Sequence, residues 1–358
     1  MEVELVKETK YKDNTQNIAT QISPRKMIWP VLIGLGVVAY LLYNNFDVEA
    51  FDVVNFTWNS FFWLFVAILL MLFRDIGYII RIRILTDYEF SWVQAIRVIL
   101  LWEFTSAITP SAVGGTGLAV IYVNKEGISI GRSTAVVMAT SFLDELYFII
   151  MFPLLLLLIN VENLFTVGGL ESYSREFLIM AVAGYSFKFV YTAFISYGLF
   201  KNPRVIKKFL FNLFSIWFLR KWRYSATQAG NEIIDSSKEL KKKPFSFWLK
   251  AFGATIFSWT SRYWVVNAMF VAFFVVDKHA LLYARQLVMW IMMLVSPTPG
   301  GSGFTEFVFS EYLGDFLPQA AGITILMATL WRLITYYPYL MVGAIIVPGW
   351  VKKKFGKK

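Results

Sequence analysis

Hydrophobic positions along this chain do not alternate with polar ones. They run in long blocks separated by short charged loops. A helix needs about 20 apolar residues to cross a hydrocarbon core of roughly 30 Å. Blocks of that length stand at 27–46, 58–80, 133–159, 177–200, 248–276 and 320–347. The pattern predicts an all-α polytopic integral membrane protein with these six as full spans. Two further apolar stretches, 92–131 and 285–317, are each broken by a proline and glycine phrase: "TPSAVGGTGLA" at 109–119 and "SPTPGGSGFTE" at 296–306.

Charge assigns a side to each loop. Lysine and arginine collect in short loops on the cytoplasmic face. They are dense between residues 201 and 250 and in the closing "KKKFGKK", whereas the 47–57 loop carries Asp47, Glu49 and Asp52 and no basic residue. Both termini and the 201–247 loop are therefore expected inside a bacterial-type cytoplasmic membrane. With six spans so oriented, 92–131 enters and leaves by the cytoplasmic face and 285–317 by the opposite one. Two re-entrant hairpins entering from opposite sides are what an inverted repeat produces, with a binding site between them near the midplane. The domain reading is a polar tail at 1–26, one transmembrane domain at 27–350 and a basic tail at 351–358.

Irregular backbone at membrane depth survives only where protein buries it or a wet cavity receives it. The two glycine phrases therefore predict a cavity. Helices resume after each phrase, and their first N–H groups and dipole offer a seat for an anion. Gly114, Gly115 and Gly117 on one side and Gly300, Gly301 and Gly303 on the other are candidate backbone donors to a substrate. Tight helix packing by small residues is the alternative. Neither phrase is a nucleotide loop, since "GGTGLA" lacks the Lys-Ser/Thr of a P-loop.

Charges inside apolar blocks sharpen this picture, because each costs about 2.5–3.5 kcal/mol on insertion scales and is usually paired or functional. Asp144 and Glu145, Lys188, Arg262 and Arg332 lie in four different blocks, and Glu306 follows the second phrase. Arg332 shares a helical face with Thr335, Tyr336 and Tyr339, and Arg262 with Ser258. The bland alternative is structural pairing, for example of Asp144 with Arg262 or Arg332. Arg74, Asp75, Arg81 and Arg83 read as residues snorkelling at the end of a span.

Composition removes other chemistries. There is no cysteine and one histidine, His279, read as a loop residue, so thiol chemistry and metal clusters are not expected. No cofactor is expected. The net charge of +10 sits at membrane ends, so it speaks for an anionic lipid surface rather than for nucleic acid. The basic segment "PRVIKKFLFNLFSIWFLRKWR" places Ile206, Phe209, Leu210, Leu213 and Trp217 at helical spacing, as an interfacial helix would.

At "TPSAVGGTGLAVIYVNKEGISIGRSTAVVMATSFLDELYFI", and at "SPTPGGSGFTEFVFSEYLG" followed by "LWRLITYYPYLMVGAI", the chain resembles the lysylphosphatidylglycerol synthase transmembrane, or flippase-like, family. The more specific block runs from Pro297 through Glu306 to Arg332, Thr335 and Tyr336. The resemblance implies translocation of a phospholipid, in some members an aminoacylated one, between leaflets. Members that make such lipids carry an added aminoacyl-transferase domain, and this chain is similar to the membrane portion without it. The resemblance also makes homodimers an expectation.

The reading is a non-enzymatic lipid flippase or scramblase. Glycine backbones, Arg262, Arg332 and Tyr336 would hold phosphate, while Glu306, Asp144 and Glu145, with Lys188 nearby, would balance a cationic headgroup or couple to protons. Two alternatives stay open: an intramembrane headgroup transferase or hydrolase using the carboxylates, and a membrane scaffold subunit.

Overall fold

The computed structural model describes residues 53–109, 115–165, 171–213, 223–295, 303–318 and 322–355, with Tyr43, Ser215 and Gly301 as single positions. Every regular element among them is helical. Four helical segments, Trp58–Leu85, Ile130–Leu158, Arg175–Lys201 and Ile323–Lys354, are long and apolar enough to cross a membrane. The protein is an all-α polytopic membrane protein. The block at 27–46 and the tail at 1–26 lie outside the described residues.

Helix α1 (Trp58–Leu85) starts at Thr57, whose hydroxyl accepts the Ser60 N–H at 3.3 Å while the Thr57 N–H donates back to Ser60 Oγ at 3.2 Å. Ser91 and Gln94 cap α2 (Trp92–Ile108) in the same reciprocal way. These caps satisfy donors that the first turn leaves without acceptors. The first broken stretch supplies α2 and the ten-residue α3 (Thr116–Lys125). Next come α4 (Ile130–Leu158), short α5 (Val161–Phe165) and α6 (Glu171–Ser196), the last extended by a π turn at Tyr197–Lys201.

The basic loop folds as α7 (Arg204–Leu213) and α8 (Arg223–Lys242), which pack on each other. Ile206 is buried against Gly198 while Phe209 stays exposed. The side chains of Leu210, Leu213 and Trp217 lie outside the described residues. The block expected at 248–276 is α9 (Phe245–Val271), whose 27 residues give about 40 Å of helix at 1.5 Å per residue.

The second broken stretch supplies α10 (His279–Met292) and the ten-residue α11 (Phe304–Leu313). The span expected at 320–347 is present as Ile323–Lys354, divided into α12 (Ile323–Thr335) and α13 (Tyr337–Phe355). They break at Tyr336, whose φ of −128° and ψ of −55° leave the helical region. His279 is not free in a loop: it opens α10, with Nδ1 3.0 Å from Asn267 Oδ1.

Small residues set the closest helix approaches, as they do where no hydrophobic force separates helix from lipid. A Cβ on Gly77 of α1 would stand 2.8 Å from Ser258 Cβ of α9. Ser258 in turn donates to the Arg74 carbonyl at 2.7 Å. On α13, a Cβ on Gly343 would lie 2.0 Å from the Phe104 ring of α2. Large apolar side chains cover the outside, among them Phe65 and Leu72 on α1, Val182 and Val190 on α6, and Met341 and Ile345 on α13. Such a surface is stable against lipid tails and not against water.

Candidate functional site

Both broken stretches resume as helices behind left-handed glycines. Gly115 has φ +62°, Gly301 +71° and Gly303 +86°. Backbone of that kind is strained for any residue with a Cβ. Gly115 is also hemmed in, since a Cβ there would meet Ser106 Oγ at 2.8 Å. Gly117, by contrast, is exposed and has nothing within 4 Å of a Cβ position. Gly114 and Gly300 lie outside the described residues.

The N-terminus of α11 already holds an anion from the chain itself. Glu306 accepts the Gly303 N–H through Oε2 at 2.7 Å and meets Arg332 Nε through Oε1 at 2.8 Å. Position three of a helix is where a glutamate can reach back to the cap, and the helix dipole favours it there. The Gly303 N–H is thus engaged by Glu306 instead of standing open to a ligand.

Between α1, α2, α4, α6, α9, α12 and α13 lies a cavity of about 450 Å³. Its wall carries Arg74, Arg81, Glu103, Asp144, Glu145, Lys188, Arg262 and Arg332, interleaved with Tyr78, Trp102, Trp259, Trp290, Trp331, Tyr336 and Tyr339. Ser141 of α4 and Phe187 and Tyr191 of α6 belong to its lining, and Phe187 is 59% exposed.

Most of these charges are paired. Arg81 clasps Asp144 with both nitrogens, Nη1 to Oδ1 at 2.5 Å and Nη2 to Oδ2 at 3.1 Å, and also donates to Thr255 at 3.1 Å. Trp259 Nε1 donates to the same Asp144 Oδ1 at 2.7 Å. Lys188 lies 2.9 Å from Glu145 Oε2 and over the Phe148 ring, 4.3 Å from its centre. Arg74 meets Glu103 at 2.6 Å and Asp75 at 2.8 Å, and donates to Tyr339 Oη at 2.9 Å. The Tyr339 hydroxyl passes its own proton toward Asp75, at 2.8 Å.

Several expectations change with this geometry. Asp144 pairs with Arg81, neither with Arg262 nor with Arg332. Arg74 and Arg81 do not snorkel; each is 3% exposed on the inward face of α1. At spacings of four and three residues, Arg74, Tyr78 and Arg81 form one stripe, which was the available signal. Glu103 on α2 carried the same signal as Asp144, a single charge within the apolar run "VILLWEFTSAI". Of the sequence candidates, Asp144, Glu145, Lys188, Arg262, Arg332 and Tyr336 line the cavity, Glu306 stands behind Arg332, and Gly117 stands away from it. Despite the break at Tyr336, the face predicted for Arg332, Thr335, Tyr336 and Tyr339 is kept, and all four line the cavity.

A second ion cluster closes the far end of α3. Glu126 receives Arg97 at 3.0 Å, Trp350 Nε1 at 3.1 Å and Lys354 at 3.3 Å, tying α2 and α13 to the turn after α3. Burial pushes its carboxyl up, but the hydrogen bonds from Arg97 and Trp350 and the charge of Lys354 outweigh that and hold it below the usual carboxylate range. Among the described residues no group of His, Asp and Glu side chains is arranged to hold a metal ion.

A helical multi-pass membrane protein whose spans enclose a charged, aromatic-lined cavity is the class these features define. Residues 27–343 match the family described as the lysylphosphatidylglycerol synthase TM region, and the chain belongs to that family. A UPF0104 membrane protein of Archaeoglobus fulgidus is 26% identical over 306 residues, covering 82% of this chain and 88% of its own length. No solved structure matches the chain. Family membership ties the protein to membrane-lipid biology.

Proposed function

We propose that the protein moves phospholipid headgroups between leaflets through this cavity, as a flippase or scramblase, while acyl tails remain in the bilayer. The carrying observation is a charged cavity inside an apolar bundle, and we place its mouth on the bundle's side between α4 and α6, where the lining residue Phe187 is exposed. Charges are stable there only with partners or with a polar ligand. A lateral mouth suits a substrate that is half polar and half lipid, and exposed Phe187 and Phe189 beside it match acyl chains. The wall carboxylates Asp144 and Glu145, which headgroup chemistry would need as acid or base, are engaged by Arg81 and Lys188, and that favours transport over transfer or hydrolysis. We place both ends of the chain and the α7–α8 loop on the cytoplasmic side, from the lysine and arginine bias.

The test is reconstitution. Acyl-labelled fluorescent phospholipids in proteoliposomes should lose their inner-leaflet protection from dithionite when the protein is present. Quenching that stops at the outer-leaflet fraction, as in protein-free vesicles, for every headgroup tried would refute transport.

A further inference from the structure

We infer that the cavity is built for a zwitterionic headgroup, one phosphodiester and one ammonium, held by Arg262 and Glu103. The inference rests on the transport reading for its setting and names the substrate class that reading leaves open.

Arg81 is matched by Asp144, Lys188 by Glu145 and Arg332 by Glu306. Two groups are not matched in this way. Arg262 makes no hydrogen bond or close ion pair with a described residue, although the charge of Glu103 acts on it; what touches it are aromatic rings, Trp290 with its centre at 4.3 Å and Trp259 at 5.9 Å. Stacking engages the faces of a guanidinium and leaves its in-plane N–H donors for a bidentate phosphate. On the other side of the account, Arg74 serves two carboxylates, Asp75 and Glu103. Asp75 also accepts from Tyr339, whereas the one close ion pair Glu103 makes with a described residue is to Arg74, and Glu103 lines the cavity.

Arg262 and Glu103 thus line one wall and act on each other without a close ion pair between them, so a headgroup carrying both charges can join them. An anionic headgroup alone would satisfy Arg262 and add negative charge beside Glu103. A headgroup bearing an ammonium satisfies both and leaves the cavity neutral.

Two readouts separate this inference from the transport reading. The first is binding of the water-soluble headgroup fragments glycerophosphoethanolamine and glycerophosphoglycerol to the purified protein in detergent, followed by ligand-induced thermal shift. Wild type should prefer the ethanolamine fragment by about tenfold, as one charge-assisted interaction gives. Glu103→Gln keeps a hydrogen bond to Arg74 and should erase the preference while still binding both fragments. Arg262→Gln should weaken both about tenfold, and Arg262→Lys should fall between it and wild type.

The second readout is leaflet exchange of the corresponding acyl-labelled lipids. Preferential binding without exchange would overturn transport and leave this site standing. Exchange of both lipids at equal rates, or an ethanolamine preference unchanged in Glu103→Gln, would overturn the zwitterion site and leave transport standing.

Discussion

Arg332 Nε and Glu306 Oε1 lie 2.8 Å apart, joining the helix after the second glycine phrase to the helix that ends at Tyr336, and both side chains are nearly sealed from solvent, at 6% and 7% exposed. The pair therefore does two jobs: it caps the N-terminus of α11 through Gly303, and it sets one arginine into the cavity wall. Removing one partner strands the other as an uncompensated buried charge, which typically costs 3–5 kcal/mol. Arg332→Ala and Glu306→Ala should each lower the melting temperature sharply in detergent. The double variant Arg332→Met, Glu306→Leu should lie closer to wild type than either single change. Equal and additive losses would show that the two do not act as a pair.

Glycines at close helix contacts should behave unlike the one at an open position. Gly343→Ala places a Cβ where the Phe104 ring stands, 2.0 Å away, and overpacking of this kind costs about 1–3 kcal/mol. Gly77→Ala meets Ser258 and the Ala254 carbonyl and should destabilise as well. Gly117→Ala meets nothing and adds helix propensity, so stability should hold or rise by about 0.5–1 kcal/mol. Thermal unfolding of the three variants checks the order.

Glu126 predicts a pH dependence. Its folded carboxyl lies below the ordinary value of 4.5, so it contributes stability above that value and loses it as pH falls through the folded pKa. Glu126→Gln should be less stable than wild type at neutral pH, and the gap should close below about pH 4.5 as the wild-type carboxylate takes up its proton. A gap that is flat from pH 7 to below that range would mean the ion cluster with Arg97 and Lys354 contributes nothing.

Much of this was legible in the sequence because of what charge and proline cost in hydrocarbon. Asp144, Glu145, Lys188, Arg262 and Arg332 stand out against apolar neighbours, and all of them reach the cavity. The glycine phrases marked helix breaks that the structure has, with left-handed backbone at Gly115, Gly301 and Gly303. Pairing was not legible, since it depends on how helices rotate against each other. Arg74 and Arg81 looked terminal because the apolar block stops near residue 80, whereas α1 continues to Leu85 and turns both inward. The break at Tyr336 was announced by Pro338, which has no N–H for the Ile334 carbonyl and so stops the preceding helix. Gly117 shared the phrase but, lying inside α3, not the left-handed backbone.

The central claim is that headgroups enter by the mouth between α4 and α6, and the chain's lack of cysteine makes that directly measurable. Ser141 lines the cavity there, so Ser141→Cys can be blocked with a bulky maleimide, with Gly117→Cys, away from the cavity, as the control. Leaflet exchange of an acyl-labelled phospholipid should proceed in both unlabelled variants, stop when position 141 is labelled and continue when position 117 is labelled. Exchange that continues undiminished through a fully labelled Ser141→Cys protein would contradict the claim.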